Sequence, residues 1–358
     1  MSPGERLAMT LRQIIYFLDP NPTALRLEVK SNLLLNQFTY YRRCVIIYRC
    51  LVAGDSMRSI SYQYILVPNT VSKFFLEVCK VLWLVLMSNV FTPLTKEAWR
   101  TWATEYDAKA DFPRCLAAID GKHCVVQALP GTGSQFYNYK GSYSVVLLAA
   151  VSAQYRFIMV DIGTEERSSD RDILKNSAFG RALARNELDF PPPEPISDST
   201  ELFPYVFVAD EAFPLTTNMM RPALASNDCR KYIWDFICKV AHLPTAHSGS
   251  LPLVRAIIKV TTCLRNWLLT EEENLQPEER KYCSSRTPDS VDQDGNIIEG
   301  QWRTEVSDDN ALRDLPPAMR LGSNRYSEAA ANIREEYTDF FLSRGQIERQ
   351  WRKIPVRC

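Results

Sequence analysis

Apolar residues in the first part of the chain recur at the spacing of one helical face. In the stretch that follows Pro68 they are Val71, Phe74, Phe75, Val78 and Leu82. A shorter helix is expected before it, with Asp55-Ser56 as its N-terminal cap. Two helices joined through Val67-Pro68-Asn69 would suit a helix-turn-helix; the alternative is an ordinary helical cap on the following domain. The pattern predicts that residues 1–106 are mainly helical, with the second helix starting at Asn69-Thr70.

From Phe112 onward, short apolar runs typical of β-strands replace the helical pattern. The runs are CLAAIDGKHCVVQAL, SYSVVLLAAVSA, YRFIMVDIG and YVFVADEAF. The second is almost entirely apolar, as expected of a strand buried on both faces. Between the third and the fourth, SDRDILKNSAFGRALARN predicts one helix capped by Ser169 or Asp170. Three strands, a helix and a further strand predict an α/β fold.

Two stretches do not fit this pattern. Residues 13–49 contain apolar runs without a sustained period, and they interrupt a helical pattern that would otherwise be continuous. After Pro222 the chain is hard to assign until LVRAIIKVTTCLRNWLL, which predicts an amphipathic helix. Residues 271–326 are polar and rich in turns, and Ser327 would cap a last helix, EAAANIREEYTDFF.

The composition is that of a globular protein. Apolar residues make up 46% of the chain, and 42 basic side chains balance 42 acidic ones. Zero net charge leaves nucleic-acid binding open, because a local basic face is sufficient. The ten cysteines form no CxxC pair, so no zinc pattern is present. We expect an intracellular protein with reduced thiols, no signal peptide and no membrane partner, since the apolar runs are too short to span a bilayer.

Candidate chemistry lies where two of the predicted strands carry an acid. Asp120 lies within the first strand, before Gly121, and Asp210 follows the apolar run YVFVA. A carboxylate in an apolar strand is costly unless it is paired or binds a cation. If the two meet at one edge of a sheet, they would form an oxygen site that suits Mg²⁺ or Mn²⁺. The alternative is that one or both only cap turns.

The stretch from AAIDGKH to VADEAFPL resembles the Harbinger/PIF-type transposases and the nucleases derived from them, the DDE-superfamily endonucleases. The motifs that carry the resemblance are IDGKH, FYNYKG, SSDRD, VADEAFPL and MMRP, within residues 112–222. Flanking segments such as PNTVSKFFLEVCKVLW and IREEYTDFF also match. The resemblance implies an RNase H-like fold, a mixed sheet with flanking helices, and the predicted strand order agrees with that fold.

The resemblance also implies a metal site made of two Asp and one Glu. Asp120 and Asp210 match the first two acids and are therefore the expected catalytic residues and metal ligands, with Mg²⁺ or Mn²⁺ as the cofactor. The Glu should lie on a helix after Asp210, but Lys239–Ser248 reads KVAHLPTAHS and contains no acid. Asp228 and Asp235 come too early and Glu271 too late. The third acidic ligand is thus missing from the sequence as written.

Several other polar residues lie within or next to these motifs. Lys122 and His123 follow the first aspartate and could contact phosphate, or could be simple surface residues. Asp170 and Asp172 are expected to cap a helix. Glu211 is expected to face away from its neighbour Asp210, because successive strand residues point to opposite faces. A hydrolase using His123 as a base is disfavoured, since no nucleophile-elbow motif accompanies it.

These features predict three parts of the chain and two alternative functions. The expected parts are a helical region 1–106 with an insertion at 13–49, a nuclease domain 112–270 that is incomplete after 222, and a tail 271–358. The first function is a divalent-metal-dependent DNA endonuclease that works by a two-metal mechanism. The second is an inactive domesticated transposase that binds DNA or protein. The family implies DNA and a separate Myb-like protein as partners, and a nuclear location, with the cytoplasm as the alternative.

The insertion and the missing acid have two explanations. One is a gene prediction that kept an intron and skipped an exon, which would account for both defects together. The other is genuine decay or domestication of a transposase. The genomic sequence between the codons for Asp235 and Leu251 distinguishes them.

Overall fold

The structure is a computed structural model. The residues it describes are 56–129, 131–138, 141–162, 170–196, 200–210, 212–221, 250–273, 290–291, 297–298 and 326–346. The predicted insertion at 13–49 and the segment Lys239–Ser248 lie outside these residues, and so does Glu211.

Three helices precede the sheet. They are α1 (Met57–Gln63), α2 (Pro68–Val90) and α3 (Lys96–Ala110). Ser56 caps α1 as predicted, since its side chain accepts a hydrogen bond from the backbone N–H of Ser59 at 3.0 Å. α2 begins slightly earlier than predicted, because Pro68 occupies its first turn, where a missing N–H is not needed.

A five-stranded mixed sheet forms the centre of the molecule. Its strands are β1 (Cys115–Val126), β2 (Tyr143–Val151), β3 (Phe157–Ile162), β6 (Val206–Ala209) and β7 (Met219–Met220), in the spatial order β3-β2-β1-β6-β7. β1, β2 and β3 are antiparallel neighbours, whereas β6 runs parallel to β1 and β7 parallel to β6. Four predicted strands thus appear in the predicted order, and the mixed sheet with flanking helices confirms the predicted RNase H-like fold class.

Two hairpins and four helices complete the described part of the chain. Two small hairpins are β4 (Glu194–Pro195) with β5 (Leu202–Phe203), and β8 (Ser290–Val291) with β9 (Ile297–Ile298). The remaining helices are α4 (Asp170–Asn176), α5 (Ala178–Ala184), α6 (Leu251–Glu273) and α7 (Glu328–Leu342). The predicted cap of α7 is confirmed, since the Ser327 side chain accepts from the N–H of Ala330.

The single helix predicted between the third and fourth strands is wrong: the structure has two helices, α4 and α5, with a break at Ser177. The Ser177 hydroxyl oxygen accepts from the Gly180 N–H at 2.8 Å and so caps α5. Gly180 leaves no room for a side chain, because a Cβ there would lie 1.8 Å from the carbonyl oxygen of Leu174. Serine favours a cap over a helix interior, which explains the break.

The two faces of the sheet are covered by different helices. Ile119, Phe207 and Ala209 pack in one cluster with Trp99 of α3 and with residues of α4 and α5; we call this the α3 face. Ala118 and Ala149, among others, pack in a second cluster with Val254 and Ile258 of α6; we call this the α6 face.

α2 packs on α6 rather than standing apart. Its buried residues share a cluster with those of α6; they are Val71, Phe75, Cys79, Leu82, Leu86 and Val90 on α2, and Leu253, Ala256, Ile257, Val260, Cys263 and Leu264 on α6. This packing joins α2 to the helix that covers the sheet, and the helix-turn-helix and the helical cap both stay predictions. Among the described residues, no helix has the length and apolar character needed to cross a membrane.

Candidate functional site

Asp120 and Asp210 lie side by side on neighbouring parallel strands. The last registered pair of β1 and β6 is Ile119 with Ala209, and the two aspartates follow at the next position of each chain. Adjacent strands lie about 4.8 Å apart. The topology therefore brings together the two acids that the sequence predicts to meet at one edge of the sheet.

The two carboxylates project from the same face of the sheet. Ile119 and Ala209 both pack on the α3 face, and successive side chains of a strand point to opposite faces. Asp120 and Asp210 therefore point to the α6 face. The preceding pair, Ala118 and Val208, also shares one face, because both residues line the same cavity. Both aspartates are half-buried.

Backbone hydrogen bonds orient both carboxylates. Asp120 Oδ1 accepts from the Gly121 N–H at 2.7 Å, and Asp210 Oδ1 accepts from the Ala212 N–H at 2.9 Å. The second contact is the local turn bond typical of Asp. The turn-capping interpretation thus describes a contact that Asp210 makes, but it does not account for two acids on the same face at the same level.

A third acid is absent from this neighbourhood in the part of the chain that the structure describes. Those residues contain no group of three or more His, Cys, Asp or Glu side chains that could hold a metal ion. Glu271 lies elsewhere: two residues beyond it, Glu273 pairs with Arg156 at the turn between β2 and β3. The segment in which the Glu is expected, Lys239–Ser248, lies outside the described residues, as do His242, His247, Asp228 and Asp235.

The polar residues after Asp120 separate onto the two faces. By strand alternation Lys122 shares the α6 face with Asp120, whereas His123 points to the α3 face. His123 Nδ1 lies 3.0 Å from the buried hydroxyl of Ser144. That hydroxyl also accepts from Asn138 Nδ2 at 2.7 Å, and Asn138 is only 5% exposed. Lys122 therefore lies on the same face as the aspartates, whereas the half-buried His123 is bonded to a buried hydroxyl on the other face.

Asn138 closes the turn that precedes β2. Its Oδ1 accepts from the Ser142 N–H at 3.1 Å, and its backbone N–H donates to the Ser142 carbonyl at 2.8 Å. These contacts hold the turn as a hairpin through the Asn138 side chain. Tyr139 and Lys140 lie outside the described residues.

Two further polar residues, Asp172 and Arg265, lie on the helices α4 and α6. Asp172 is exposed in the first turn of α4, which begins at Asp170. Arg265 of α6 is 4% exposed.

Arg114 and Glu194, which belong to no sequence motif, connect the starts of β1 and β6. Arg114 precedes β1 and Glu194 lies in β4; the side chains of both reach Tyr205, which precedes β6. The sequence carries no signal for this group, because its members are far apart along the chain and belong to no motif.

The part of the chain that carries both aspartates is similar to known proteins. Residues 119–243 match the DDE superfamily endonuclease family, a range that includes both aspartates. Over 193 residues the chain is 25% identical to a protein of Arabidopsis thaliana described as "Protein ALP1-like". The match covers 52% of this chain and 46% of that protein, so the chain spans about half the length of this relative. No solved structure matches significantly. Both matches bear out the resemblance that the motifs carry.

Proposed function

We propose that the chain, whose residues 119–243 match the DDE superfamily endonuclease family, is a divalent-metal-dependent DNA endonuclease of transposase origin. The observation that carries this proposal is the alignment of Asp120 with Asp210 on β1 and β6. Two acids at one level and on one face of a sheet repel each other unless a cation lies between them. A purely structural pair would not need that arrangement.

The donor set fits Mg²⁺ or Mn²⁺. Carboxylate oxygens are the ligands that both ions prefer, and strands about 4.8 Å apart allow two carboxylates to share one ion. We propose that Asp120 and Asp210 are the ligands. When bound, divalent ions activate water and neutralise the leaving oxygen in phosphodiester hydrolysis. The N–H groups of Gly121 and Ala212 hold the carboxylates in a fixed orientation, and Lys122 on the same face would bind the scissile strand through a phosphate.

DNA is the substrate that the family implies. A separate Myb-like DNA-binding protein as partner and a nuclear location remain proposals that rest on the family resemblance. A Myb-like partner and a nuclear location would both be needed if the partner recognises the DNA target and this chain cleaves it. Co-purification of the tagged chain with a Myb-like protein from nuclear extract would support them, and recovery of the chain without any such protein would contradict the first.

Metal-dependent nicking tests the proposed function. Supercoiled plasmid should be nicked in Mn²⁺, more slowly in Mg²⁺, and not at all in chelator. Asp120→Asn keeps the size of the side chain but removes its charge, so we expect at least a hundredfold loss of nicking, which matches removal of a metal ligand rather than of an outer contact. The control is Asp189→Asn, an exposed acid paired with Lys96, which should nick like the wild type. Full activity in Asp120→Asn would refute the proposal.

The second candidate is an inactive descendant that binds DNA or protein. The observation that favours it is the absence of acid from KVAHLPTAHS, where the third ligand is expected. Two carboxylates hold a metal pair less firmly than three. DNA binding in gel-shift experiments without cleavage in Mg²⁺ or Mn²⁺ would select this function over the first.

A further inference from the structure

The register that aligns the two aspartates depends on one extra residue in β1. Cys115 is opposite Val206, but Ala117 is opposite Phe207, so Leu116 has no counterpart in β6. Were the ladder regular from Cys115, Asp210 would stand opposite Ile119 and would point to the α3 face. The irregularity is a β-bulge, and it shifts the phase of β1 by one residue.

The burial of the strand residues agrees with the bulge. Leu116 and Ala117 are consecutive, yet both pack on the α3 face, whereas Ala118 packs on the α6 face. In a regular strand two consecutive side chains point to opposite faces. Beyond the bulge the alternation resumes and places Asp120 on the α6 face with Asp210.

A group of four side chains holds the pair from which this register starts. We call it the Glu194 clamp; its members are Arg100, Arg114, Glu194 and Tyr205. Glu194 Oε1 accepts from Arg100 Nε and Nη2 at 3.2 and 3.0 Å, and Glu194 Oε2 accepts from the Tyr205 hydroxyl at 2.9 Å. Arg114 Nη1 donates to that hydroxyl at 3.1 Å and lies 3.6 Å from Glu194 Oε2.

The clamp connects directly to the backbone of both strands. The Arg114 carbonyl accepts from the Val206 N–H at 3.0 Å, and the Arg114 side chain also donates to the carbonyl of Pro195. Arg114 has a left-handed backbone, with φ of 61°, which is uncommon for a residue other than glycine. The chain therefore adopts a strained conformation at the point where the clamp fixes the start of β1.

The clamp favours the charged form of Glu194. Burial raises the pKa of Glu194, but the hydrogen bonds from Tyr205 and Arg100 and the charges of Arg100 and Arg114 lower it, with a net result below the usual value. Glu194 is therefore charged at neutral pH and bonded to the two strands through Arg114 and Tyr205.

We propose that the Glu194 clamp is the positioning device of the metal site. It holds Cys115 opposite Val206, and the bulge at Leu116 then brings Asp120 beside Asp210 on the α6 face. The clamp lies at the start of both strands, several residues from the carboxylates, so its members act through the backbone and touch neither metal nor DNA. The consequence for metal binding rests on the proposed function; the consequence for the register does not.

Two variants of the full-length chain test the clamp, with one matched control. Glu194→Gln removes the charge at the centre, and Tyr205→Phe removes the hydroxyl that joins Arg114 to Glu194 while keeping the ring. The control is Glu273→Gln, which breaks the Glu273–Arg156 ion pair (2.6 Å) on the same sheet but away from β1 and β6. The first readout is amide hydrogen exchange of peptides covering β1 and β6, and the second is Mn²⁺ affinity from electron paramagnetic resonance.

We expect about tenfold faster exchange in β1 and β6 for both clamp variants, the factor that corresponds to loss of roughly one hydrogen bond. Mn²⁺ affinity should fall about tenfold, as for other residues that orient metal ligands, and Glu273→Gln should change neither. Exchange in the clamp variants equal to that in Glu273→Gln would overturn the proposal. If the wild type bound no Mn²⁺, the proposed function would fail, whereas the exchange measurement would still decide the clamp.

Discussion

At the scale of single residues, the fold depends on buried polar side chains that form hydrogen bonds with backbone groups of other elements. Asn266 is fully buried in α6. Its Oδ1 accepts from the Phe157 N–H at 2.9 Å, and its Nδ2 donates to the carbonyls of Phe157 and Val90 at 2.7 and 3.2 Å. One side chain thus joins α6 to the start of β3 and to the end of α2. Buried backbone groups need such partners, because an unsatisfied group costs about 1–3 kcal/mol.

We expect Asn266→Ala to lower the free energy of unfolding by about 3 kcal/mol, because it removes three buried hydrogen bonds and leaves a cavity. Urea denaturation followed by tryptophan fluorescence measures this. The matched control is Asn89→Ala, an exposed residue whose Nδ2 bonds only within its own helix, to the Val85 carbonyl; it should change stability by less than about 0.5 kcal/mol. Equal effects of the two changes would show that Asn266 does not join the three elements.

At the scale of elements, the packing of α2 on α6 supports the face on which the aspartates lie. Leu82 is fully buried between the two helices, whereas Leu84 on the same helix is 69% exposed. α6 in turn covers the α6 face through Val254 and Ile258. Loosening α2 should therefore loosen the helix that covers the sheet next to the candidate site.

Leu82→Ala should cost about 2–5 kcal/mol, the range for removing a buried leucine side chain. Leu84→Ala, made in the same helix with the same chemistry, should cost less than about 0.5 kcal/mol, because its side chain is already in water. Urea midpoints of the two variants measure the difference. Similar midpoints would contradict the packing of α2 on α6.

The elements also show what the sequence could and could not predict. The four main strands were predictable because each contains a run of consecutive apolar residues, and the last helix because Ser327 marks its start. The break at Ser177 was missed because serine is compatible with both a helix and a cap. The bulge at Leu116 was missed because CLAAI is apolar throughout, so no polar residue reveals the change of phase. The Glu194 clamp depends on contacts between distant segments, which no local pattern encodes.

At the scale of the whole molecule, the site results from strand order. β1 and β6 are separated by a long stretch of sequence but are parallel neighbours, with β7 on the far side of β6. Asp120 was predictable as a candidate because it interrupts an apolar strand, and Asp210 because it ends one. Their common face required the register, which only the structure shows. The division into residues 1–106, 112–270 and 271–358 stays a prediction, and α2–α6 packing joins the first two parts.

The completeness of the site is decided between Asp235 and Leu251. If an unannotated exon there encodes a basic helix with a Glu, transcripts will contain it, and the longer form should nick DNA in Mn²⁺ at least tenfold faster than the present chain, since a third carboxylate holds the ions more firmly. Sequencing of transcripts across these codons, followed by nicking assays of both forms, measures this. The control is the longer form with that Glu changed to Gln, which should return to the rate of the present chain. Transcripts without the exon, together with DNA binding but no cleavage, would instead establish a domesticated protein that kept the fold and two ligands of a nuclease and lost its reaction.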